Sequence, residues 1–116
     1  MAEIKSCLFC RIVKKEIPSA IVYEDAEWVA FKDIHPQAPV HVLIVPKKHF
    51  DDHLALKDED RNWIGGWHAL ASRLAKDLKI EDGFRLVVNC KERAGQTVNH
   101  LHMHLMGGRD FSWPPG

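Results

Sequence analysis

The amino-acid sequence lacks the features that mark membrane-spanning and nucleic-acid-binding proteins. It contains no apolar run approaching the roughly 18–20 residues that a membrane-spanning helix requires. Its 16 basic residues are matched by 16 acidic residues, so the formal net charge is zero. A clustered excess of lysine and arginine, the usual mark of a surface that binds nucleic acid, is therefore missing. We expect neither a membrane nor a nucleic acid among the partners of this protein.

Cysteine is also scarce, with three residues among 116. Two of the three, Cys7 and Cys10, are spaced as Cys-x-x-Cys, which is unlike the disulfide framework of a small secreted domain. The first residues lack the apolar stretch of a secretory signal. These absences predict a cytoplasmic protein, and the length predicts one domain over residues 1–116 with a single hydrophobic core.

Several short apolar patterns and one long one indicate the order of the secondary structure. The pattern predicts a first helix that begins at Ser6, its candidate N-cap, and ends before Pro18. It then predicts two short strands around a turn at Glu24–Asp25, a buried strand at 40–46, a long helix from about 58 to 78, and a further strand at 84–89. This order favours an α+β fold with an antiparallel sheet.

The long helix carries an apolar stripe that includes Trp63 and Trp67. Apolar residues recur there at intervals of three and four, which places them on one face of the helix. Gly65 and Gly66 interrupt the pattern and would allow close packing against another element. Because an exposed stripe of this size would favour association, we expect it to contribute to contact with a second subunit.

The segment HLHMHL, residues 100–105, alternates three histidines with three apolar side chains. In a helix the imidazoles would point in different directions, whereas in a strand they share one face. We therefore predict a strand whose apolar face packs into the core and whose imidazoles line a surface groove. Ordinary polar residues on the exposed side of a strand are the alternative, which strict alternation of three histidines makes less favourable.

Two chemistries suit aligned imidazoles. Histidines at alternate strand positions can share a metal ion, and imidazole can also act as a nucleophile, an acid or a base near neutral pH. Neighbouring residues favour the second chemistry because they supply neutral donors that suit phosphate oxygens better than a metal. These residues are Gly95, Gln96, Thr97, Asn99 and, at the end of the preceding strand, Asn89.

These motifs resemble the His-x-His-x-His-x-x signature of the histidine triad (HIT) superfamily, in which x is apolar. The resemblance extends through CLFCRIVKKEIPSAIVYEDAEWVAFKDIHPQAPVHVLIVPKKH, FRLVVN, AGQTVNHLHMHLMGGR and the terminal WPPG. It indicates the histidine triad nucleotide-binding (HINT-type) branch. The resemblance implies a HIT-like fold, with a five-stranded antiparallel sheet and two helices, and a homodimer in which the sheet continues across the subunits.

The resemblance also implies a function. Members of this branch bind purine nucleotides and hydrolyse the P–N bond of adenosine 5′-phosphoramidates through a nucleotidyl-histidine intermediate, without an organic cofactor. Two alternatives stay open: a dinucleoside polyphosphate hydrolase or nucleotidyltransferase of the same superfamily, and a zinc-stabilised, nucleotide-responsive scaffold protein without significant turnover. The intact GQTVNHLHMHLMGG and WPPG segments favour the phosphoramidase.

Roles for individual residues follow from the same resemblance. His102 corresponds to the nucleophile, His104 to the histidine at the phosphate and leaving group, and His100 and His41 complete the catalytic set. Asp33 corresponds to the carboxylate that accepts hydrogen bonds from the ribose hydroxyls. The further substrate-binding residues are Asn89, Gln96, Thr97 and Val98 near the phosphate, Leu8, Phe9, Ile12, Ile17, Phe31 and Ile34 around the purine, and Trp113 in the C-terminal tail, which approaches the partner's site.

A metal site is implied for superfamily members that carry the N-terminal cysteine pair. Cys7, Cys10, His49 and His100 would bind a structural Zn²⁺ ion as a closed tetrahedral Cys₂His₂ set. The ion would tie the first helix to the sheet and fix the first histidine of the triad. The alternative is a small helix with two reduced cysteines and no metal. A redox role is less favourable because no thioredoxin-like βαβ pattern surrounds the pair.

Overall fold

A computed structural model of the protein describes residues 7–116. This range contains two α-helices and five β-strands, labelled in chain order. They are α1 (Leu8–Val13), β1 (Ile21–Glu24), β2 (Trp28–Lys32), β3 (Val40–Pro46), α2 (Arg61–Asp77), β4 (Phe84–Val87) and β5 (Met103–Gly107). Short 3-10 helices lie at His53–Ala55, Asp58–Asp60 and Glu92–Ala94. No helix in the described range is long and apolar enough to cross a membrane.

The short helix α1 begins next to a cysteine that serves as its cap. Ser6, the predicted N-cap, lies outside the described residues. The Sγ atom of Cys7 accepts a hydrogen bond from the backbone N–H of Cys10 at 3.3 Å, which satisfies one of the donors that a helix N-terminus leaves unpaired. A helix of six residues is too short to be stable alone, so tertiary contacts fix its position.

The five strands form one antiparallel sheet in the order β1-β2-β3-β5-β4. This confirms the prediction of an α+β fold with a five-stranded antiparallel sheet and two helices. In the centre of the sheet Leu43 of β3 lies opposite His104 of β5, and Val87 of β4 flanks His104 on the other side. The last histidine of the triad is therefore held by hydrogen-bonded strands on both sides.

The tryptophan stripe of α2 packs against the protein's own sheet. Trp67 is 1% exposed, and its Nε1–H donates to the carbonyl oxygen of Ile44 at 3.2 Å. The Trp63 ring stacks on Trp28 of β2 with a centroid separation of 4.6 Å. The buried Trp67 is therefore unavailable to a second subunit, whereas a contribution of the half-buried Trp63 to such a contact stays a prediction. Periodicity identified the apolar face of α2, and the sheet covers that face.

The histidine segment enters the sheet later than predicted. β5 begins at Met103, so His100 and His102 precede the regular strand. Continuing the register would pair Leu101 with Pro46, which has no N–H to donate. The carbonyl oxygen of Pro46 instead accepts a hydrogen bond from the His100 ring, and the Leu101 N–H donates to Phe50. The apolar half of the prediction is confirmed, because all three alternating side chains are buried in the core: Leu101, Met103 and Leu105.

Candidate functional site

A cleft of about 370 Å³ opens on the face of the sheet opposite α2, a size in the range of small-molecule sites. It gathers most of the predicted substrate residues. The six predicted apolar wall residues all line it, together with Asp33, Thr97, Val98, His102 and His104. Sequence analysis did not single out the remaining lining residues, which are Pro18, Ser19, Lys32, His35 and Leu43. Ile34 is 86% exposed, so it borders the mouth of the cleft.

His102 lies in the wall of this cleft with its ring held by a backbone carbonyl. Its Nδ1 atom is 2.7 Å from the carbonyl oxygen of His100, and the residue is 5% exposed. A carbonyl oxygen can only accept, so Nδ1 carries the hydrogen and Nε2 carries the lone pair. The Phe9 ring meets the imidazole edge-on at a centroid separation of 5.0 Å. The backbone and Phe9 thus fix both the tautomer and the orientation of His102.

Burial favours the uncharged form of three imidazoles at this site, those of His41, His102 and His104. Desolvation, together with smaller contributions from the nearby His102 and His41 rings, lowers the pKa of His104 to about 4 against the opposing effect of Asp33. Desolvation also lowers the pKa of His102 and of His41. A neutral imidazole retains a free lone pair, which a nucleophile at phosphorus requires.

His41 and His104 form a hydrogen-bonded pair behind the cleft. The backbone N–H of Gln37 donates to Nδ1 of His41 at 3.0 Å, so His41 carries its hydrogen on Nε2. That Nε2–H donates to Nδ1 of His104 at 2.9 Å, which leaves His104 with an N–H at Nε2. The carboxylate of Asp33 lies 3.4 Å from the same His41 nitrogen. These two hydrogen bonds make His104 a hydrogen-bond donor at Nε2. Its ring lies beside that of His102, with the two centroids 5.1 Å apart.

Three predicted substrate residues lie outside the cleft of the protomer. Asn89 lines an adjoining groove of about 320 Å³ that shares His104 with the cleft. The buried Gln96 amide donates to the carbonyl oxygens of Asp51 and Val98 and accepts from the N–H of Lys91, so it braces the loop before the triad. Trp113 is 83% exposed in the C-terminal tail and does not line the cleft.

Cys7, Cys10, His49 and His100 form a buried cluster behind α1, and their donor atoms all lie within 4.8 Å of one another. The two histidine Nδ1 atoms are 3.1 Å apart, and three nitrogen–sulfur separations, His100 to Cys7 and to Cys10 and His49 to Cys10, are 3.2–3.4 Å. In a tetrahedral site with ordinary Zn–N and Zn–S bond lengths, two nitrogen ligands lie about 3.3 Å apart, and a nitrogen and a sulfur ligand lie about 3.6 Å apart. The donor set, spacing and burial therefore fit a closed structural Zn²⁺ site.

The outer contacts of the cluster turn both imidazoles toward a metal. His100 donates from Nε2 to the carbonyl oxygen of Pro46 at 2.8 Å, and His49 donates from Nε2 to the Asp51 carboxylate at 2.7 Å. Each Nδ1 lone pair consequently faces the cysteines, the arrangement that outer partners impose on ligating histidines. His100 is completely buried here. The expectation that all three triad imidazoles line a surface groove is therefore wrong for His100, because the chain bends before β5 begins.

Several known proteins resemble this chain over most of its length. A family model described as HIT domain matches residues 14–111. An uncharacterized HIT-like protein of Synechocystis is 53% identical over 109 residues, spanning 94% of this chain and 96% of that protein. A 14 kDa zinc-binding protein of Zea mays is 46% identical over 111 residues, spanning 94% of this chain and 87% of that protein.

Solved structures give the same result. The crystal structure of a HIT family hydrolase from Legionella pneumophila Philadelphia 1 matches with a TM-score of 0.93. The two chains are 46% identical, and the match covers 96% of this chain and 100% of that one. The family model and the curated relatives each span most of the chain. This protein belongs to the HIT domain family.

Proposed function

We propose that this protein binds purine nucleoside 5′-phosphates and hydrolyses the P–N bond of nucleoside 5′-phosphoramidates, as in the HINT-type branch of its family. The main support for this proposal is the tautomer of His102, which leaves a ring nitrogen free to act as a nucleophile. Its Nδ1–H is held by the His100 carbonyl at 2.7 Å, so the Nε2 lone pair is available within a cleft of nucleotide size. The hydrolase designation of the Legionella protein supports hydrolysis as the class of reaction.

The reaction would proceed in two displacements at phosphorus. The Nε2 lone pair of His102 attacks, the P–N bond to the amine breaks, and the amine leaves with a proton taken from solvent. Water then attacks the nucleotidyl-histidine and loses a proton, and the P–Nε2 bond breaks to return neutral His102. One water is consumed, and a nucleoside monophosphate and an amine are released. Splitting one displacement into two suits a neutral nitrogen nucleophile.

The surroundings of His102 supply contacts for the rest of the substrate. The Nε2–H of His104 and the hydroxyl of Thr97 are hydrogen-bond donors in the cleft, suited to the charge that develops on phosphate oxygens. Asp33 has carboxylate lone pairs beyond those used by its protein partners, so it can accept from ribose hydroxyls. The apolar wall formed by Phe9 and Phe31 offers ring edges and faces to a purine.

Trapping the intermediate tests this proposal directly. The intact protein is mixed with adenosine 5′-phosphoramidate, quenched, digested and analysed by mass spectrometry. We expect an adenylyl group on the peptide that contains His102, and release of the amine during turnover. His102→Ala should abolish both signals, whereas His68→Ala, an exposed histidine on α2, should retain both. Unchanged turnover in His102→Ala would rule out this nucleophile.

The same assay separates the alternatives. Faster cleavage of a dinucleoside polyphosphate, or transfer of the nucleotidyl group to a phosphate acceptor, would assign the protein to the other enzymatic branch. A zinc-stabilised scaffold without turnover is the second candidate, and the buried Cys₂His₂ cluster favours it because the cluster is separate from the reactive cleft. Nucleotide binding without amine release would select that candidate.

We propose zinc as the ion of the Cys₂His₂ cluster. The name of the maize relative, a zinc-binding protein, supports this identity, as does the preference of Zn²⁺ for tetrahedral sulfur and nitrogen donors. Metal analysis of protein purified without chelator should find about one zinc per chain. Zinc below about a tenth of an equivalent, with both thiols freely titratable, would contradict the assignment.

We also propose that two copies form a dimer in which the sheet continues from one subunit to the other. β4 is an edge strand of the sheet, and an uncovered edge presents backbone groups that can pair with another strand. The exposed Trp113 would then be available to the partner's cleft. Sedimentation analysis at micromolar concentration should show a dimer, and a monomer alone would contradict this part of the proposal.

A further inference from the structure

We propose that the Cys₂His₂ cluster and the nucleotide cleft are energetically coupled through α1, so that filling one site raises the affinity of the other. This inference rests on the proposed function, because it requires that the cleft binds a nucleotide. It identifies α1, Phe9 and His100 as the connecting parts. The ligands involved are a divalent metal ion on one side and a purine nucleoside monophosphate on the other.

The first connection is α1 itself, which contributes to both sites. Cys7, its N-cap, and Cys10 supply two of the four donors of the cluster. Leu8 and Phe9, which lie between those cysteines, and Ile12, one turn further along, line the cleft. Because the helix has only six residues, it has little intrinsic stability and takes its position from these contacts. A shift of α1 away from the cluster necessarily moves the wall of the cleft.

Phe9 makes the second connection by touching residues of both sites. Its ring lies edge-on to His102 at 5.0 Å and to the cluster histidine His100 at 5.9 Å, measured between centroids. The same ring packs edge-on against Phe31, another wall residue, at 5.5 Å. Phe9 is 4% exposed, so it has little room to adjust independently. The position of its ring therefore depends on the order of the cluster and affects the shape of the cleft.

The backbone of His100 makes the third connection. Its ring nitrogen Nδ1 belongs to the cluster, whereas its carbonyl oxygen accepts the hydrogen bond from His102. Thr97 and Val98 reinforce this link, because they line both the cleft and a neighbouring groove that Cys7 and His49 also line. A metal ion that immobilises the His100 side chain also immobilises the peptide group that sets the tautomer of His102.

Coupling between two sites is reciprocal in equilibrium binding, and typical factors run from about 5-fold to 150-fold. Phe31 and Ile34, which also line the cleft, belong to β2 and to the segment after it rather than to α1. We therefore expect a factor near the lower end, about tenfold in each direction. Metal binding would then raise the affinity for the nucleotide, and bound nucleotide would raise the affinity for the metal.

The test uses the full-length protein, Zn²⁺ and adenosine 5′-monophosphate. The zinc affinity is measured by competition with a chromophoric chelator at increasing nucleotide concentration, and the nucleotide affinity is measured with and without zinc. We expect the zinc affinity to rise to a plateau about tenfold above its starting value, and the nucleotide affinity to change by the same factor. A zinc affinity that is unaffected by bound nucleotide would overturn the coupling.

The plateau separates coupling from general stabilisation of the fold. If zinc were lost only through global unfolding, its apparent affinity would keep rising in proportion to nucleotide concentration without a plateau, which would also overturn the proposal. Failure of the zinc-loaded protein to bind the nucleotide at any concentration would overturn the proposed function and this inference together. Nucleotide binding with a coupling factor of one would overturn this inference alone.

A matched pair of variants locates the coupling in the protein. Phe9→Leu retains all four cluster donors, so the zinc affinity without nucleotide should stay within about twofold, while the plateau falls to about two- to threefold. Phe84→Leu makes the same change at a residue that belongs neither to the cleft lining nor to the cluster, and should keep the full plateau. A full plateau in Phe9→Leu would exclude Phe9 as a connecting residue and overturn the assignment.

Discussion

Two neighbouring histidines of the triad, His100 and His102, differ in the ring nitrogen that a backbone carbonyl occupies. His100 donates from Nε2 to Pro46, so its Nδ1 lone pair faces two cysteines. His102 donates from Nδ1 to His100, so its Nε2 lone pair is left for the cleft. Residues of one type, two positions apart, thereby acquire different chemistry. The comparison teaches that backbone acceptors, which have no signature in the sequence, decide what each imidazole can do.

The largest expected effect comes from removing His102, the proposed nucleophile. His102→Ala should lower kcat/KM for a phosphoramidate by at least about 10³-fold, because no other neutral imidazole lone pair replaces it. Its zinc content should stay at the level of the unmodified protein. Amine release and metal analysis on the same preparation measure both quantities. Loss of zinc from His102→Ala would show that the two histidines are not separable in function.

Removing one donor of the Cys₂His₂ cluster should lower the thermal stability of the protein. Cys10→Ser removes a thiolate donor, and we expect zinc loss with a fall in Tm of about 10 °C, or roughly 2–3 kcal/mol for a chain of this size. Cys90→Ser is the matched control, since that half-buried thiol lies outside the cluster. Thermal unfolding with metal analysis checks the result. An unchanged Tm in zinc-free Cys10→Ser would mean that the cluster contributes nothing to folding.

Removing the hydrogen bond between His41 and His104 should have an intermediate effect on activity. His41→Ala removes the donor that holds Nδ1 of His104, and outer-shell partners of this kind commonly change activity by about 10- to 100-fold. We expect the loss in kcat, with nucleotide affinity nearly unchanged, because His41 does not line the cleft. Steady-state kinetics and a binding isotherm separate the two. An equal rise in KM with constant kcat would argue for a role in binding.

The smallest expected effect is the response to mild acid. The neutral imidazoles are the active forms, and protonation removes the lone pair of His102, so activity falls as the pH drops through their pKa values. Desolvation and neighbouring rings lower the pKa of His104 to about 4, and desolvation lowers that of His102. Between pH 8 and pH 6 we therefore expect kcat/KM to fall by less than the roughly fourfold that an imidazole with the ordinary histidine pKa would give. A half-maximal rate near the ordinary histidine pKa would contradict this burial effect.

The arrangement of strands and helices was largely predictable, because it follows from side-chain periodicity. Alternation at Leu101, Met103 and Leu105 identified the buried face of the last strand, and the stripe of α2 identified its inner surface. Periodicity does not say what covers an apolar face. The stripe at Trp63 and Trp67 was therefore expected to contribute to a subunit contact, although packing against the protein's own sheet buries Trp67.

The site was predictable where side chains carry its chemistry, and less so where the backbone does. The apolar wall and the four cluster residues were named from sequence resemblance, and the structure brings each group together. The late start of β5 was missed because it depends on the register of Leu101 against Pro46. The roles of Gln37 and Pro46 were missed because they act through backbone groups. The Gln37 N–H donates to His41, and the Pro46 carbonyl oxygen accepts from His100.

The amide of Gln37 also bears on metal discrimination. Asp33, His41 and His104 place three donor atoms within 4.8 Å of one another, and two imidazoles with a carboxylate are a common ligand set for transition metals. A peptide N–H has no lone pair to offer, so its bond to Nδ1 of His41 keeps a proton on the nitrogen that would otherwise face the ion. This proton disfavours binding of a metal ion by Asp33, His41 and His104 together, in contrast to the Cys₂His₂ cluster, where both Nδ1 lone pairs face the cysteines.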